Sequence, residues 1–258
     1  MHRFATWLLA GAAWLGSASA QTYSYNFNSG ASDFSPTTFT ANLPGGATAN
    51  YSTAAGIGGS GSFSTNGVTN ATTIFNTALH NSNGATFTTS FYFLTRPTVS
   101  TGDLVGFGYF NSTTQLFDAG NLIGYKINQA NSSSLLPSTW YQLTATTTNT
   151  GSTFHTSIAL QNYGANGTTL TGGAINLGAS DNTGDTLLTT GSIYVGLYGG
   201  AGIQGLGGSI DYMTPAIDNF SVSAIPEPST YAALAGVVMF GVAVLRRRRR
   251  LRVSADCS

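Results

Sequence analysis

Tyr23, Tyr25 and Phe27 alternate with Ser24, Asn26 and Asn28, the period-two pattern of a strand that buries one face. The same alternation returns over residues 62–65, 72–76, 86–94, 104–110, 122–128, 140–147, 154–162, 193–198 and 216–222. Between these runs stand Pro44-Gly45-Gly46, Asn66-Gly67, Asn83-Gly84, Asn149-Thr150-Gly151 and Asn166-Gly167, residues that mark turns. Asn-Gly pairs suit type I′ hairpins, in which both central residues need positive φ. No long segment between residues 21 and 224 carries helical periodicity. Many strands at short spacing with glycine-rich turns predict an all-β fold, an antiparallel two-sheet sandwich.

Two stretches break the pattern. At the start, His2 and Arg3 precede an apolar run over residues 4–15 and the small residues Ala18-Ser19-Ala20. That is the layout of a signal peptide over residues 1–20, cut by signal peptidase before Gln21. At the other end, Pro226, Glu227 and Pro228 precede an apolar run over residues 231–245, which is stopped by Arg246, Arg247, Arg248, Arg249 and Arg250. Fifteen helical residues reach ~22 Å against a hydrocarbon core of ~30 Å. Snorkelling arginines and the flanking Ser229 and Thr230 extend that reach, so a single transmembrane helix over about residues 230–245 is expected. Arginines favour the cytoplasmic side, which leaves residues 21–224 as an exported domain and 251–258 as a cytoplasmic tail.

The order Pro-Glu-Pro, short apolar helix, arginine cluster over residues 225–250 resembles the PEP-CTERM sorting signal of Gram-negative bacteria. The resemblance implies recognition by an exosortase, a membrane-embedded cysteine protease or transpeptidase. It further implies anchoring in the inner membrane before processing, then a cell-surface or extracellular location among exopolysaccharide. The tail LRVSADCS runs on beyond the arginines, longer than the family's usual abrupt ending.

The formal net charge of zero hides an asymmetry. Six of the nine basic residues lie at 246–252 and one at Arg3, so the exported domain holds only Arg96 and Lys126. Against them stand aspartates 33, 103, 118, 181, 185, 211 and 218, with no glutamate before Glu227. A mildly acidic domain without a basic patch excludes nucleic acid as an expected partner. The lone cysteine, Cys257, lies in the tail, so the domain has no disulfide, cysteine nucleophile or cysteine metal ligand.

Residues 87–94 (FTTSFYFL), 140–147 (WYQLTATT) with the hairpin to FHTSIAL, and IYVGLY with AIDNFSV near the end resemble the concanavalin A-like, laminin-G-like jelly roll. In that family the last strand typically carries an aspartate before an aromatic or aliphatic pair, as Asp218-Asn219-Phe220 does here. Its laminarinase-type hydrolases use two glutamates, which this domain lacks.

The remaining candidate chemistry is sparse. Asp181 and Asp185 sit in the turn-like DNTGD, where aspartates usually bond backbone. With Asn182 they offer the oxygen ligands of a calcium site as an alternative to a solvated turn, and otherwise no cofactor is expected. The glycine pattern at 200–205 lacks the following helix that a dinucleotide site needs. His80 and His155 are isolated in sequence, and His155 has outward parity in its strand. Tyr163 and Tyr198 are the candidate glycan contacts, able to stack on sugar rings, whereas Trp140 is expected in the core. The functional expectation is an exported surface or matrix protein with a non-catalytic sandwich that contacts exopolysaccharide. The alternative is a secreted glycan hydrolase or lyase working through aspartates.

Overall fold

The computed structural model describes residues 20–28, 39–42, 48–66, 71–95, 103–112, 123–128, 135–182, 191–199, 216–225, 236–242 and 244–245. The chain divides into two compact units, Gln21–Ile225 and Met1–Ala20 with Pro226–Ser258. The described residues of the first unit form thirteen strands: β1 (Gln21–Tyr25), β2 (Phe39–Asn42), β3 (Thr48–Ser52), β4 (Ser62–Asn66), β5 (Ala71–Asn81), β6 (Thr86–Leu94), β7 (Asp103–Phe110), β8 (Ile123–Asn128), β9 (Trp140–Asn149), β10 (Phe154–Asn162), β11 (Ile175–Asn182), β12 (Gly191–Gly199) and β13 (Ile217–Ile225). An eight-stranded sheet has the order β11-β10-β9-β6-β13-β4-β3, with β1 also on β13, and a five-stranded sheet has the order β2-β5-β12-β7-β8. Every pairing is antiparallel. The predicted two-sheet sandwich is the observed fold.

Alternation in the sequence becomes sidedness in the structure. Along β6, Phe87, Thr89, Phe91 and Phe93 are buried while the residues between them are half-buried. Tyr141, Leu143 and Ala145 of β9 join them, as do Phe220 and Val222 of β13. Phe75, Leu79, Phe107, Tyr109, Ile193 and Val195 meet them from the five-stranded sheet, forming one core. Phe75 stacks on Phe220 across the two sheets, with ring centroids 4.4 Å apart. The interior also holds polar pairs, each partnered as buried polar groups must be. The Tyr109 and Thr89 hydroxyls lie 2.8 Å apart across the sheets, and Asn149 donates from Nδ2 to Asn81 Oδ1 at 2.8 Å. Burial pushes the Tyr109 phenol up to about 12, so it remains a neutral donor and acceptor.

The turns correct one expectation. Asn149-Thr150-Gly151 does close a hairpin, β9 to β10, where the Thr150 N–H donates to Thr153 O at 2.8 Å. Asn83-Gly84 does not: it carries the chain from β5 in one sheet to β6 in the other. Gly84 has φ 80° and donates to Asn149 O at 2.6 Å, so the positive φ serves a corner between sheets rather than a hairpin.

In the second unit, residues 236–242 and 244–245 are helical. Val237, Val238, Met239 and Phe240 are exposed there. Among the described residues no helix is long and apolar enough to cross a membrane. Residues 1–19 of the expected signal peptide over 1–20, the Pro226, Glu227 and Pro228 motif and Arg246 to Arg250 lie outside the described residues.

Candidate functional site

β13 is the strand on which the candidate site hangs. It pairs with β6 along one side, and on the other with β1 through residues 220–224 and with β4 at Ile217. Where its partner changes from β4 to β1 the register shifts, and Asn219 takes φ 47°. Asp218 is fully buried at this irregularity. Its carboxylate accepts from the Ile57 N–H at 3.0 Å, from the Asn219 N–H at 2.6 Å and from the Ser60 hydroxyl. One side chain thus holds the 3-10 turn at Ile57–Gly59 against the sheet. Burial raises the Asp218 pKa above its ordinary value, while the Ser60, Asn219 and Ile57 hydrogen bonds oppose the rise.

The turn needs glycine at its flanks. A Cβ on Gly56 would stand 2.0 Å from Gly61 O and 2.6 Å from Asp218 Oδ2. One on Gly61 would meet Phe27 O at 2.1 Å. The Gly61 N–H donates to Asn28 Oδ1 at 2.8 Å, tying the turn to the segment that follows β1.

Ile57 continues the chain of contacts outward. Gly167, φ 71°, lies so close to Ile57 and Trp140 that a Cβ there would be 2.2 Å from Ile57 Cγ1 and 3.1 Å from Trp140 Cδ1. Trp140 is therefore buried, as expected, but beneath a loop rather than in the main core. Its backbone fixes the next residue of interest: the Tyr163 N–H donates to Trp140 O at 2.8 Å and the Trp140 N–H donates to Gly164 O at 3.0 Å.

Tyr163 follows β10 at the end of the outer face of the eight-stranded sheet. Its hydroxyl donates to Gln142 Oε1 at 3.2 Å. Its ring meets Tyr92 edge to face, with centroids 5.2 Å apart and planes at 74°. Tyr92, Gln142 and Gln161 are cross-strand neighbours on β6, β9 and β10. Burial, then the hydrogen bond to Tyr163 and the charges of Tyr163 and Asp218, push the Tyr92 phenol up to about 12. Tyr92 and Tyr163 thus form a half-buried pair of rings beside two amides, a set that can stack on a sugar ring and exchange hydrogen bonds with hydroxyls.

The other expected positions are scattered. Tyr198 lies on β12 of the five-stranded sheet, opposite Thr72 and Gly106, so it does not share a sheet with Tyr163. Asp181 and Asn182 are the last residues of β11, paired with His155 and Phe154. The first two residues of DNTGD are therefore strand rather than turn, and Asp185 lies outside the described residues. His155 is exposed on β10, as its parity indicated. His80 is exposed, and its N–H donates to Gln21 Oε1 at 2.8 Å. Among the described residues there is no group of three or more His, Cys, Asp or Glu placed to hold a metal ion. Sequence reasoning missed Tyr92, Gln142 and Asp218 as parts of one constellation. The parity of β6 and β9 marks Tyr92 and Gln142 as outward, but their proximity to Tyr163 depends on the β6-β9-β10 order.

Residues 224–250 match the PEP-CTERM protein-sorting motif. No curated protein matches the chain. Among solved structures the chain is similar to peanut lectin with a bound nine-residue peptide, at 11% identity and a TM-score of 0.49, over 80% of this chain and 98% of that one. It is also similar to lectin I of Ulex europaeus with the methyl glycoside of α-L-fucose, at 12% identity and a TM-score of 0.45, over 80% and 98% of the two chains.

Proposed function

We propose that this is an exported protein, processed by an exosortase at its Pro-Glu-Pro motif, whose β-sandwich contacts exopolysaccharide without catalysing its cleavage. The observation that carries the sorting half is the PEP-CTERM motif over residues 224–250. In this reading the apolar run over 231–245 holds the chain in the inner membrane of a Gram-negative cell, with Arg246 to Arg250 on the cytoplasmic side. Proline fixes φ, has no N–H and disfavours helix in the residue before it, so the sequence Pro226-Glu227-Pro228 suits the extended form that a protease binds. After processing, the domain belongs to the cell surface or the matrix. Intact-mass measurement on exported protein tests this. In a strain with a working exosortase the wild type should lack the arginine block, and Glu227→Ala should retain it. An intact tail on the wild type would make the segment a simple anchor.

The glycan half is supported by the Tyr92–Tyr163 pair with its adjoining amides. Asp218, engaged by Ile57, Ser60 and Asn219, is read as a structural acceptor rather than an acid or base. On a glycan array run with and without calcium, binding should be weak and nearly independent of salt, because no ion pair carries it. Tyr163→Ala should reduce it about two- to tenfold, the range of one aromatic contact, with little change in melting temperature. Release of reducing sugar from a polysaccharide, abolished by Asp181→Asn or Asp185→Asn, would replace this reading with the hydrolase one.

A further inference from the structure

Between the tyrosine cluster and the opposite end of the eight-stranded sheet, the outer face carries hydroxyls in two complete cross-strand rows. One row runs Thr22, Ser223, Thr88, Thr146 and Ser157 across β1, β13, β6, β9 and β10. The next runs Ser24, Ser221, Ser90 and Thr144 across the first four of these strands. All nine are exposed or half-buried; the residues alternating with them are buried on β6, β9, β10 and β13 and half-buried on β1. Strand geometry sets neighbours in a row at ~4.8 Å and the rows at ~6.8 Å. The five-strand row is thus about 19 Å long.

These hydroxyls keep most of their bonding capacity. Among the described residues no side-chain hydrogen bond joins members of the first row. In the second, Ser90 makes only long contacts, 3.5 Å to Thr144 Oγ1 and 3.3 Å from Gln142 Nε2. Each retains a donor and acceptor lone pairs, the same mixed chemistry a sugar hydroxyl presents. The two rows contain no charged residue at all. Exposed sheet faces usually carry lysine and glutamate, which favour solubility and discourage association.

Charge narrows the ligand. Of the two cations between residues 21 and 225, Lys126 is on β8 of the other sheet and Arg96 lies outside the described residues. Neither belongs to the rows, and seven aspartates make the domain acidic. A polymer bearing carboxylates or sulfates would find no counter-charge there and would meet a repulsive field.

We infer that the two hydroxyl rows and the Tyr92–Tyr163 end form one elongated binding face for a neutral polysaccharide, with the chain laid across the strands and its end ring against the tyrosines. This rests on the glycan-contact reading and adds to it the ligand class and the surface.

The test is affinity electrophoresis of the full-length protein in gels containing dextran, a neutral galactomannan or polygalacturonate. The wild type should be retarded by a neutral polymer and not by polygalacturonate. Thr88→Val with Thr146→Val and Ser157→Ala removes three hydroxyls of one row while largely keeping shape. It should weaken the retardation about tenfold with an unchanged melting temperature. If that variant folds poorly, Ser157→Ala alone, at an exposed position, should still weaken it measurably. Stronger retardation by polygalacturonate than by either neutral polymer would overturn the inference. So would neutral-polymer binding that Tyr163→Ala abolishes and the row variants leave intact, although glycan contact itself would then stand. Absence of retardation by any polymer, together with a blank glycan array, would remove both.

Discussion

Phe220→Ala should lower the melting temperature of the exported protein by about 10 °C. Phe220 is fully buried on β13, stacked on Phe75 of the opposite sheet at 4.4 Å, on Phe91 at 6.1 Å and near Tyr25 at 6.4 Å. Truncating a fully buried phenylalanine costs ~3–5 kcal/mol, because transfer free energy is lost and a cavity is left between groups that cannot all close in. At ~2–4 °C per kcal/mol for a domain of this size, the shift is readable in a single thermal melt. The effect matters because total stability for ordinary domains is on the order of 5–15 kcal/mol. A fall of only a degree or two would mean that the rings of Phe75, Phe91 and Tyr25 repack without it, against the arrangement described.

Asp218 gives the second large effect, and it depends on pH. Asp218→Ala leaves the part-buried N–H groups of Ile57 and Asn219 without their charged acceptor, at a cost of about 3 kcal/mol. Asp218→Asn keeps the volume and isolates the titration. Burial raises the folded-state pKa above the ordinary 3.8, so in the window above 3.8 the folded state holds more protons at this site than the unfolded chain. The contribution of Asp218 to stability is therefore present below that window and declines as pH rises through it. Urea midpoints measured from pH 4 to 7 should show this decline in the wild type relative to Asp218→Asn. Parallel profiles would mean that the three donors fully cancel the effect of burial. Because Ile57 and Trp140 both pack close to Gly167, and the Trp140 backbone holds Tyr163, both Asp218 variants should also weaken any glycan binding measured at the tyrosines.

Much of the fold was legible because period two translates directly into sidedness. β6 and β10 occupy the predicted residues 86–94 and 154–162 to the position. Three strands were not foreseen. β2 has four residues, and β3, TANYS, is a short edge strand beside β4 alone. Such strands are specified mainly by the neighbour whose backbone they complete. β11 begins with the alternating Ile175 and Leu177, but Gly178 at φ 93° breaks the pattern near the register shift opposite Ile158 and Ala159. The candidate site was harder for a different reason. Asp218 was marked by its position before Asn219 and Phe220, but nothing local says that its carboxylate reaches residues 57 and 60. Those hydrogen bonds span 161 and 158 positions of chain. Likewise Asn83-Gly84 has the chemistry of a hairpin turn, and only the partners of its two strands reveal a corner between sheets.

The place of β13 also sets a clock. The final strand of the sandwich is an interior strand, with β6 on one side and β1 and β4 on the other, and its residue Ala224 pairs with Gln21 at the very beginning of β1. A chain that crosses a membrane N-terminus first therefore delivers its first strand long before the strand that must receive it. Closure of the eight-stranded sheet waits until Ile225 has emerged, one residue ahead of Pro226. Until then β6 keeps an open edge and Phe75 lacks the Phe220 ring, one of the two stacked on it. Under the proposed processing, completion of the sheet and exposure of the Pro-Glu-Pro motif are consecutive events, separated by a single peptide bond.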